Sequence, residues 1–189
     1  MRKDFGPQTW LYPMPVLIIG TYGDGDQPNA MNAAWGGIHD HDQIAVCIDP
    51  PHKTAENLQK KGFFTVSIGT AEKVVECDYV GIVSGNDEES KTEKAGLHAR
   101  RGAFADAPVF DEFPMCLECK LVSFDPRTGC TVGQILNVSV DEEILDEKGK
   151  ITLEKFHPLT YDPVTHNYHT IGAVAGKAFS DGKKIKENK

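Results

Sequence analysis

Two short segments of the chain carry residue types that suit a flat, negatively charged ligand. The first combines small side chains, two amides and a terminal aromatic ring, and its members are Asn29, Ala30, Met31, Asn32, Ala33, Ala34 and Trp35. Small side chains on a strand let a planar ring lie against backbone amide and carbonyl groups. The second segment places His52, Lys53 and Thr54 at a predicted helix start, where free amides and the helix dipole favour an anion. The alternative is an edge strand with a buried tryptophan, followed by an ordinary capped helix.

The cysteines do not indicate a redox or zinc motif. Cys116 and Cys119 form a C-x-x-C pattern within a predicted strand, where residues three apart point to opposite faces. We therefore expect both thiols to be buried and structural, and we expect the same of Cys47, Cys77 and Cys130.

The histidines and the common catalytic motifs are equally uninformative. His39 and His41 fall in a predicted polar loop, and His166 and His169 lack the spacing of a zinc site. The sequence contains no serine-hydrolase elbow, no phosphate-binding P-loop and no dinucleotide-binding glycine motif. The sequence thus predicts no catalytic side chain and no metal site.

Composition narrows the class of protein. A length of 189 residues is typical of one domain, so we expect residues 1–189 to form a single unit with a flexible tail at about 181–189. The net charge of −8 disfavours nucleic acid and anionic membranes as partners. The longest apolar run is too short for a membrane helix, and no secretion signal is recognisable. Five cysteines without a framework spacing favour a reducing compartment, so we expect a cytoplasmic protein.

The hydrophobic pattern predicts a mainly β fold with short helices. The predicted strands are 14–22, 30–35, 43–49, 63–68, 115–124 and 131–140, and the first two form a hairpin. Short helices are predicted at 55–61, with Thr54 as N-cap and Gly62 at the end, and at about 71–79 after Thr70. The polar segment 85–96 is expected to hold an exposed helical turn. Because most strands would pair with sequence neighbours, the pattern favours an antiparallel barrel over a parallel sheet.

At these residues the sequence resembles the flavin reductase-like family, which has the FMN-binding split-barrel fold, and within it the flavoredoxin group. Besides the two ligand-binding segments, the matching pieces are Pro13-Met14-Pro15-Val16, Val83-Ser84-Gly85 followed by Ser90-Lys91, and Tyr168-His169-Thr170-Ile171-Gly172 with Gly176-Lys177-Ala178-Phe179. They follow the family's order over nearly the whole chain.

The resemblance implies an antiparallel six-stranded split barrel of Greek-key type. It also implies a homodimer that binds FMN noncovalently near the subunit interface. The stretch 29–35 would lie along the isoalloxazine ring and the turn 52–54 would hold the phosphate. Ser84, Lys91 and the aromatic ring of Tyr161 would add further flavin contacts. The family often has an Asp-His pair near Gly129, and this chain has Cys130-Thr131 there instead, so that histidine contact is not carried over.

Three functions remain open at this point. The leading hypothesis is an oxidoreductase in which NADH or NADPH passes a hydride to FMN and electrons move onward. No side chain would act as acid or base, and amides such as those of Asn29 and Asn32 would stabilise the reduced ring. The first alternative is an FMN-containing electron carrier that a protein partner reduces. The second is a binding barrel that has lost FMN.

Overall fold

A computed structural model gives the structure of the chain and describes residues 1–187. The last two residues of the predicted tail lie outside this described part. The strands are β1 (Met14–Pro15), β2 (Leu17–Tyr22), β3 (Pro28–Ala33), β4 (Gly36–Asp40), β5 (Gln43–Cys47), β6 (Phe63–Ile68), β7 (Ala99–Arg101), β8 (Pro108–Phe110), β9 (Met115–Phe124), β10 (Cys130–Val140), β11 (Leu159–Asp162) and β12 (Asn167–Thr170). The α-helices are α1 (Lys53–Lys61), α2 (Val74–Ile82), α3 (Lys91–Lys94), α4 (Leu153–Phe156) and α5 (Lys183–Glu187). Within residues 1–187, no helix has the length and apolar character needed to cross a membrane.

Seven strands form one curled antiparallel sheet with the spatial order β3-β2-β6-β9-β10-β5-β4. Two smaller sheets, β1-β11-β12 and β7-β8, complete the β structure. This architecture confirms the predicted mainly β, antiparallel fold and the hairpin of β2 with β3. The main sheet has seven strands instead of six because β4 occupies part of the predicted polar loop. His39 lies on β4, an edge strand whose side chains are largely exposed, so its polar sequence is compatible with a strand.

Strand β2 separates two hydrophobic cores. Leu17 and Ile19 point into the core inside the curled sheet, where they pack with α1. Val16, just before β2, and Ile18 point to the opposite side, where the core includes residues of α2. Burial on both faces explains why this part of the sequence is a continuous apolar run and does not alternate.

Helix α1 begins at Lys53, two residues before the predicted start at residue 55. His52 is the N-cap, so the prediction of Thr54 as N-cap is wrong. The backbone turns into the helix at His52, whose N–H donates to the carbonyl of Asp49 over 3.0 Å. Thr54 lies in the first turn with its side chain buried. The predicted end is confirmed, since Gly62 follows the helix with φ of 74°, in the left-handed region that favours glycine.

The later helices differ from prediction in length and burial. The second predicted helix starts as a 3-10 turn and continues through α2 to Ile82, beyond the predicted end at Tyr79. Segment 85–96 does contain one short helix, α3, but Lys91 and Thr92 at its start are buried. Two hydrogen bonds from the Lys91 ammonium group, to the carbonyls of Val80 in α2 and of Val83 just after it, offset the cost of this burial.

The prediction of buried cysteines holds for three of them. Cys77, Cys116 and Cys119 are buried, and burial raises the thiol pKa of Cys77 and of Cys119 to about 12 and that of Cys116 to about 11. These thiols are therefore un-ionised near neutral pH and pack as small apolar groups.

The same prediction is wrong for the other two cysteines. Cys47 is exposed and Cys130 is half-buried. Along β5 the side chains of Ile44 and Val46 face the core. Strand alternation therefore turns Cys47 to the outer face of the sheet.

Candidate functional site

An inner cavity of about 210 Å³ lies between β3, the start of α1 and the end of α2. The structure brings many of the predicted ligand-binding residues together here. Those that line it are Asn29, Met31, Asn32, His52, Lys53, Thr54, Ser84 and Lys91. Residues from four separate parts of the chain thus meet at one cavity.

A middle cavity of about 320 Å³ continues from the inner one. Asn32, Gly81 and Ile82 line both cavities. Tyr161, which was predicted as an aromatic contact, lies on the wall of the middle cavity. Ala34 also lines it and connects it to the next cavity.

An outer cavity of about 430 Å³ lies beyond Ala34 and is bordered by Trp35. The Trp35 side chain is not buried, because 54% of the residue is exposed. The edge-strand alternative is thus half correct, since β3 is an edge strand of the main sheet but the tryptophan that follows it is free to contact a ligand. The three adjoining cavities, named together the trough, run from His52 to Trp35.

Two predicted contact residues do not line the trough with their side chains. Ala30 is fully buried in the core that contains α2, and Ala33 is buried in the core inside the sheet. Their small size leaves room in these cores for neighbouring elements to pack closely against β3.

The amide of Asn29 is oriented by two hydroxyls. Its Nδ2 donates to Thr54 Oγ1 over 2.9 Å and to Thr21 Oγ1 over 3.3 Å. Its Oδ1 is buried and has no hydrogen-bond partner within residues 1–187. A buried carbonyl oxygen without a partner is uncommon and indicates a missing donor. The oxygen is therefore available to accept a hydrogen bond from a ligand.

Gly85 keeps the space next to this oxygen open. A Cβ atom on Gly85 would lie 2.3 Å from Asn29 Oδ1 and 3.1 Å from Lys53 Cβ. A side chain at this position would thus compete with any ligand group that reaches Asn29.

The N-terminus of α1 points free donors at the same region. No side chain caps the helix, and the amides of Ala55 and Glu56 both bond to the carbonyl of His52. The amides of Lys53 and Thr54 come before the first intrahelical bond and have no helical partner. The free amides and the dipole of this nine-residue helix therefore favour an anion at its N-terminus.

Lys91 supplies a buried positive charge. It is 3% exposed, and its Nζ donates to the carbonyls of Val83 over 2.8 Å and of Val80 over 3.2 Å. Burial lowers the Lys91 pKa to about 8. Because an ammonium group has three N–H donors, one remains for a ligand in the inner cavity.

A hydrogen-bonded group that the sequence analysis missed lies in the middle cavity. Tyr168 OH donates to Asp78 Oδ1 over 3.0 Å, and Asn32 Nδ2 donates to Tyr168 OH over 3.3 Å. Desolvation and the Asp78 carboxylate raise the pKa of Tyr168. Tyr161 and His166 form a second pair, with 2.6 Å between Tyr161 OH and His166 Nδ1.

One signal could have identified part of this group. Tyr168 belongs to a sequence piece that carries the family resemblance, and its register partner on β11 is Tyr161. Asp78 and Gly81 gave no signal, because their place in the site follows from the packing of α2 on β3.

The chain is similar to known proteins over most of its length. The family model of the flavin reductase like domain matches residues 10–172. A flavoredoxin of Desulfovibrio vulgaris (Miyazaki F) is 38% identical and superimposes with a TM-score of 0.91 over 96% of this chain and 100% of the flavoredoxin. A flavoredoxin from Methanosarcina acetivorans is 27% identical, with a TM-score of 0.88 over 98% of this chain and 99% of that protein.

A curated relative matches a smaller part of the chain. An uncharacterized protein of Aquifex aeolicus (strain VF5) is 31% identical over 108 residues, which are 56% of this chain and 55% of the relative. The chain thus spans about half the length of this curated relative. The family model covers nearly every residue that lines the trough, and the chain therefore belongs to the flavin reductase-like family of split-barrel proteins.

Proposed function

We propose that the trough binds one FMN molecule noncovalently and that the protein is an FMN-dependent oxidoreductase. One observation carries this proposal. The free amides of α1, the buried ammonium group of Lys91 and the unpartnered Asn29 oxygen all meet at the inner cavity. The donors suit a phosphate group and the oxygen suits a hydroxyl, and FMN carries both on its ribityl chain.

The charges and donors at the inner cavity favour an anion, although the net charge of the whole chain repels one. The chain has a net charge of −8, which repels a free phosphate at long range. At short range, helix amides and a desolvated cation act where water no longer screens them. Lys53 contributes less, because its Nζ pairs with Glu56 Oε2 at 3.1 Å.

In this proposal the flavin ring lies in the middle and outer cavities. Ala34 leaves space where these cavities join, and the exposed Trp35 ring can stack on the flavin or lie against its edge. Asn32 is held in place because its Nδ2 donates to the Cys77 carbonyl over 3.1 Å as well as to Tyr168. FMN, when bound, supplies the redox chemistry as a hydride acceptor and electron donor. The protein residues bind and orient it, and none is assigned as a general acid or base.

NADH or NADPH is the electron donor that we propose. The outer cavity has the size of a small-molecule site, and apolar residues such as Leu11, Met14 and Ile38 line it beside Trp35. The test is anaerobic mixing of the FMN-loaded protein with each nicotinamide in turn. Bleaching of the flavin absorbance at a catalytic rate supports a reductase, and no bleaching by either nicotinamide contradicts it.

An electron carrier is the second candidate. It is favoured by the 38% identity to a flavoredoxin across 96% of the chain. In this case dithionite bleaches the bound flavin while NADH and NADPH do not. The same preparation tests the FMN proposal itself, since a colourless protein that takes up no added FMN contradicts both candidates.

We further propose a cytoplasmic homodimer that contacts the rim of the outer cavity at Leu11 and Ile38 and leaves the cavity, with Cys47 on its wall, open to solvent. Leu11, Trp35 and Ile38 on this rim are 69%, 54% and 74% exposed. Contiguous exposed apolar residues indicate an interaction site. Sedimentation of the FMN-loaded protein tests the assembly, and a monomer at micromolar concentration contradicts it.

A further inference from the structure

Cys47 and Cys130 stand directly opposite each other on the antiparallel strands β5 and β10. Their backbone hydrogen bonds point away from one another. The N–H of Cys47 donates to the Trp35 carbonyl over 2.8 Å, and the carbonyl of Cys130 accepts from the N–H of Asp125 over 2.9 Å. The next pair along the ladder is bonded, because Ile48 N–H donates to the Gly129 carbonyl over 2.8 Å. The two cysteines therefore form a non-hydrogen-bonded pair.

This type of pair brings side chains into disulfide range. Opposite residues at such a position have Cα atoms about 4.5 Å apart and side chains on the same face. Disulfides form over Cα separations of about 4.4–6.8 Å. The backbones of β5 and β10 are thus already close enough for a bond between Cys47 and Cys130.

Accessibility separates this pair from the other thiols. Cys47 is exposed and Cys130 is half-buried, whereas Cys77, Cys116 and Cys119 are buried. Exchange with a disulfide in solution requires that the attacking sulfur be reachable. The pair is also separate from the inner cavity, since Cys47 lines the outer one.

We propose that Cys47 and Cys130 form a reversible disulfide by exchange with a low-molecular-weight disulfide such as oxidised glutathione. The thiolate of the more exposed Cys47 attacks one sulfur of the small disulfide, which releases one thiolate and leaves a mixed disulfide on Cys47. The Cys130 thiolate then attacks the Cys47 sulfur and releases the second small thiolate. Two protein thiols are oxidised, one small disulfide is reduced, and the two protons go to the released thiolates.

The disulfide would connect β5 to β10 close to Trp35, the residue that we propose contacts the flavin ring. Cys47 and Trp35 both line the outer cavity. In a reducing compartment such a bond is transient and redox-sensing. The proposal does not depend on FMN, because it concerns only the pairing of β5 with β10.

The test is incubation of the purified protein with oxidised glutathione, followed by acid quenching, alkylation in denaturant and mass analysis. The expected product carries three alkyl groups where the reduced protein carries five, and it yields a cross-linked peptide pair that contains Cys47 and Cys130. It should exceed the glutathione adduct by roughly tenfold, because the second thiol is present at high effective concentration. Dithiothreitol should restore both thiols.

Two single variants and a double variant complete the test. Cys47→Ser and Cys130→Ser should each stop at a glutathione adduct on the remaining cysteine, and the double variant should take up none. The proposal is overturned if the wild-type protein accumulates adducts without a cross-link, if the cross-link joins other cysteines or two chains, or if no thiol reacts.

Discussion

The side-chain amide of Asn29 donates a 2.9 Å hydrogen bond to the hydroxyl of Thr54, and this contact joins the edge strand β3 to the first turn of α1. This hydrogen bond fixes the direction in which the side-chain oxygen of Asn29 points. With Nδ2 held by Thr54 and Thr21, the Asn29 oxygen must occupy the other side of the amide, beside Gly85. The proposed flavin site thus depends on a contact between residues far apart in sequence.

Replacement of Asn29 by alanine should weaken FMN binding by about tenfold, the effect of one lost hydrogen bond. Asn57→Ala is the matched control. Asn57 is also a buried amide that donates to Thr21 Oγ1, over 3.2 Å, but it does not line the inner cavity. Both variants should lose about 1–3 kcal/mol of unfolding free energy. Fluorescence titration with FMN measures the difference, and equal losses of affinity in the two variants would show that Asn29 acts only through stability.

Gly85→Ala should reduce FMN affinity by about tenfold or more, because the added methyl group fills space that the ligand needs. The new Cβ would lie 2.3 Å from Asn29 Oδ1, and Asn29 can move only by breaking its bonds to Thr54 and Thr21. Gly172→Ala is the control, since a Cβ there meets nothing within 4 Å. Unchanged FMN affinity in Gly85→Ala would refute the assignment of the ligand to this space.

The pKa of Lys91 predicts a pH dependence with a definite sign. Burial lowers it from 10.5 to about 8. Above this pH the unliganded protein loses the ammonium charge, so the affinity for FMN should fall as the pH rises from about 7 to 9. The Lys91→Met variant should bind FMN more weakly at pH 7 and lack this part of the profile. A wild-type profile that matches the variant's would exclude a direct role of the charge.

The same shift affects stability in the opposite sense. Between pH 8 and 10.5 the unfolded chain still binds the Lys91 proton and the folded chain has lost it. Because the unfolded state then binds more protons, the Lys91 contribution to the unfolding free energy increases with pH in this window. Urea unfolding of the ligand-free protein at several pH values, compared with Lys91→Met, isolates this contribution. A decrease relative to the variant would contradict the assigned direction.

Trp35→Ala should weaken FMN binding about threefold to tenfold through lost ring contacts. Because the residue is 54% exposed, the unfolding free energy should change by only about 0.5 kcal/mol. Val122→Ala is the control, because Val122 is also 54% exposed but does not line the trough, and it should leave FMN affinity unchanged. If both variants bind FMN like the wild type, the ring does not lie beside Trp35.

Local patterns were sufficient for several features. Gly62 marks the end of α1 because a left-handed residue after a helix is a local requirement, and the hairpin of β2 and β3 follows from turn residues between two strands. The start of α1 was predicted less well, since Thr54 has the chemistry of a cap but uses its hydroxyl to accept from Asn29. A capping preference of about 1 kcal/mol is small enough for such a tertiary contact to override it.

By itself the sequence determined that the chain is mainly β, that small residues and amides lie along one strand, and that a short helix belongs near the His52-Lys53-Thr54 turn and ends before Gly62. Those features depend on interactions within a few residues. Only the tertiary structure decided that Asn29 meets Thr54 and Gly85, that Tyr168 reaches Asp78, and that Cys47 faces Cys130 on the outer surface. These relationships depend on strand register and on how helices pack against the sheet, which are set by contacts summed over the whole fold and leave no local pattern in the sequence.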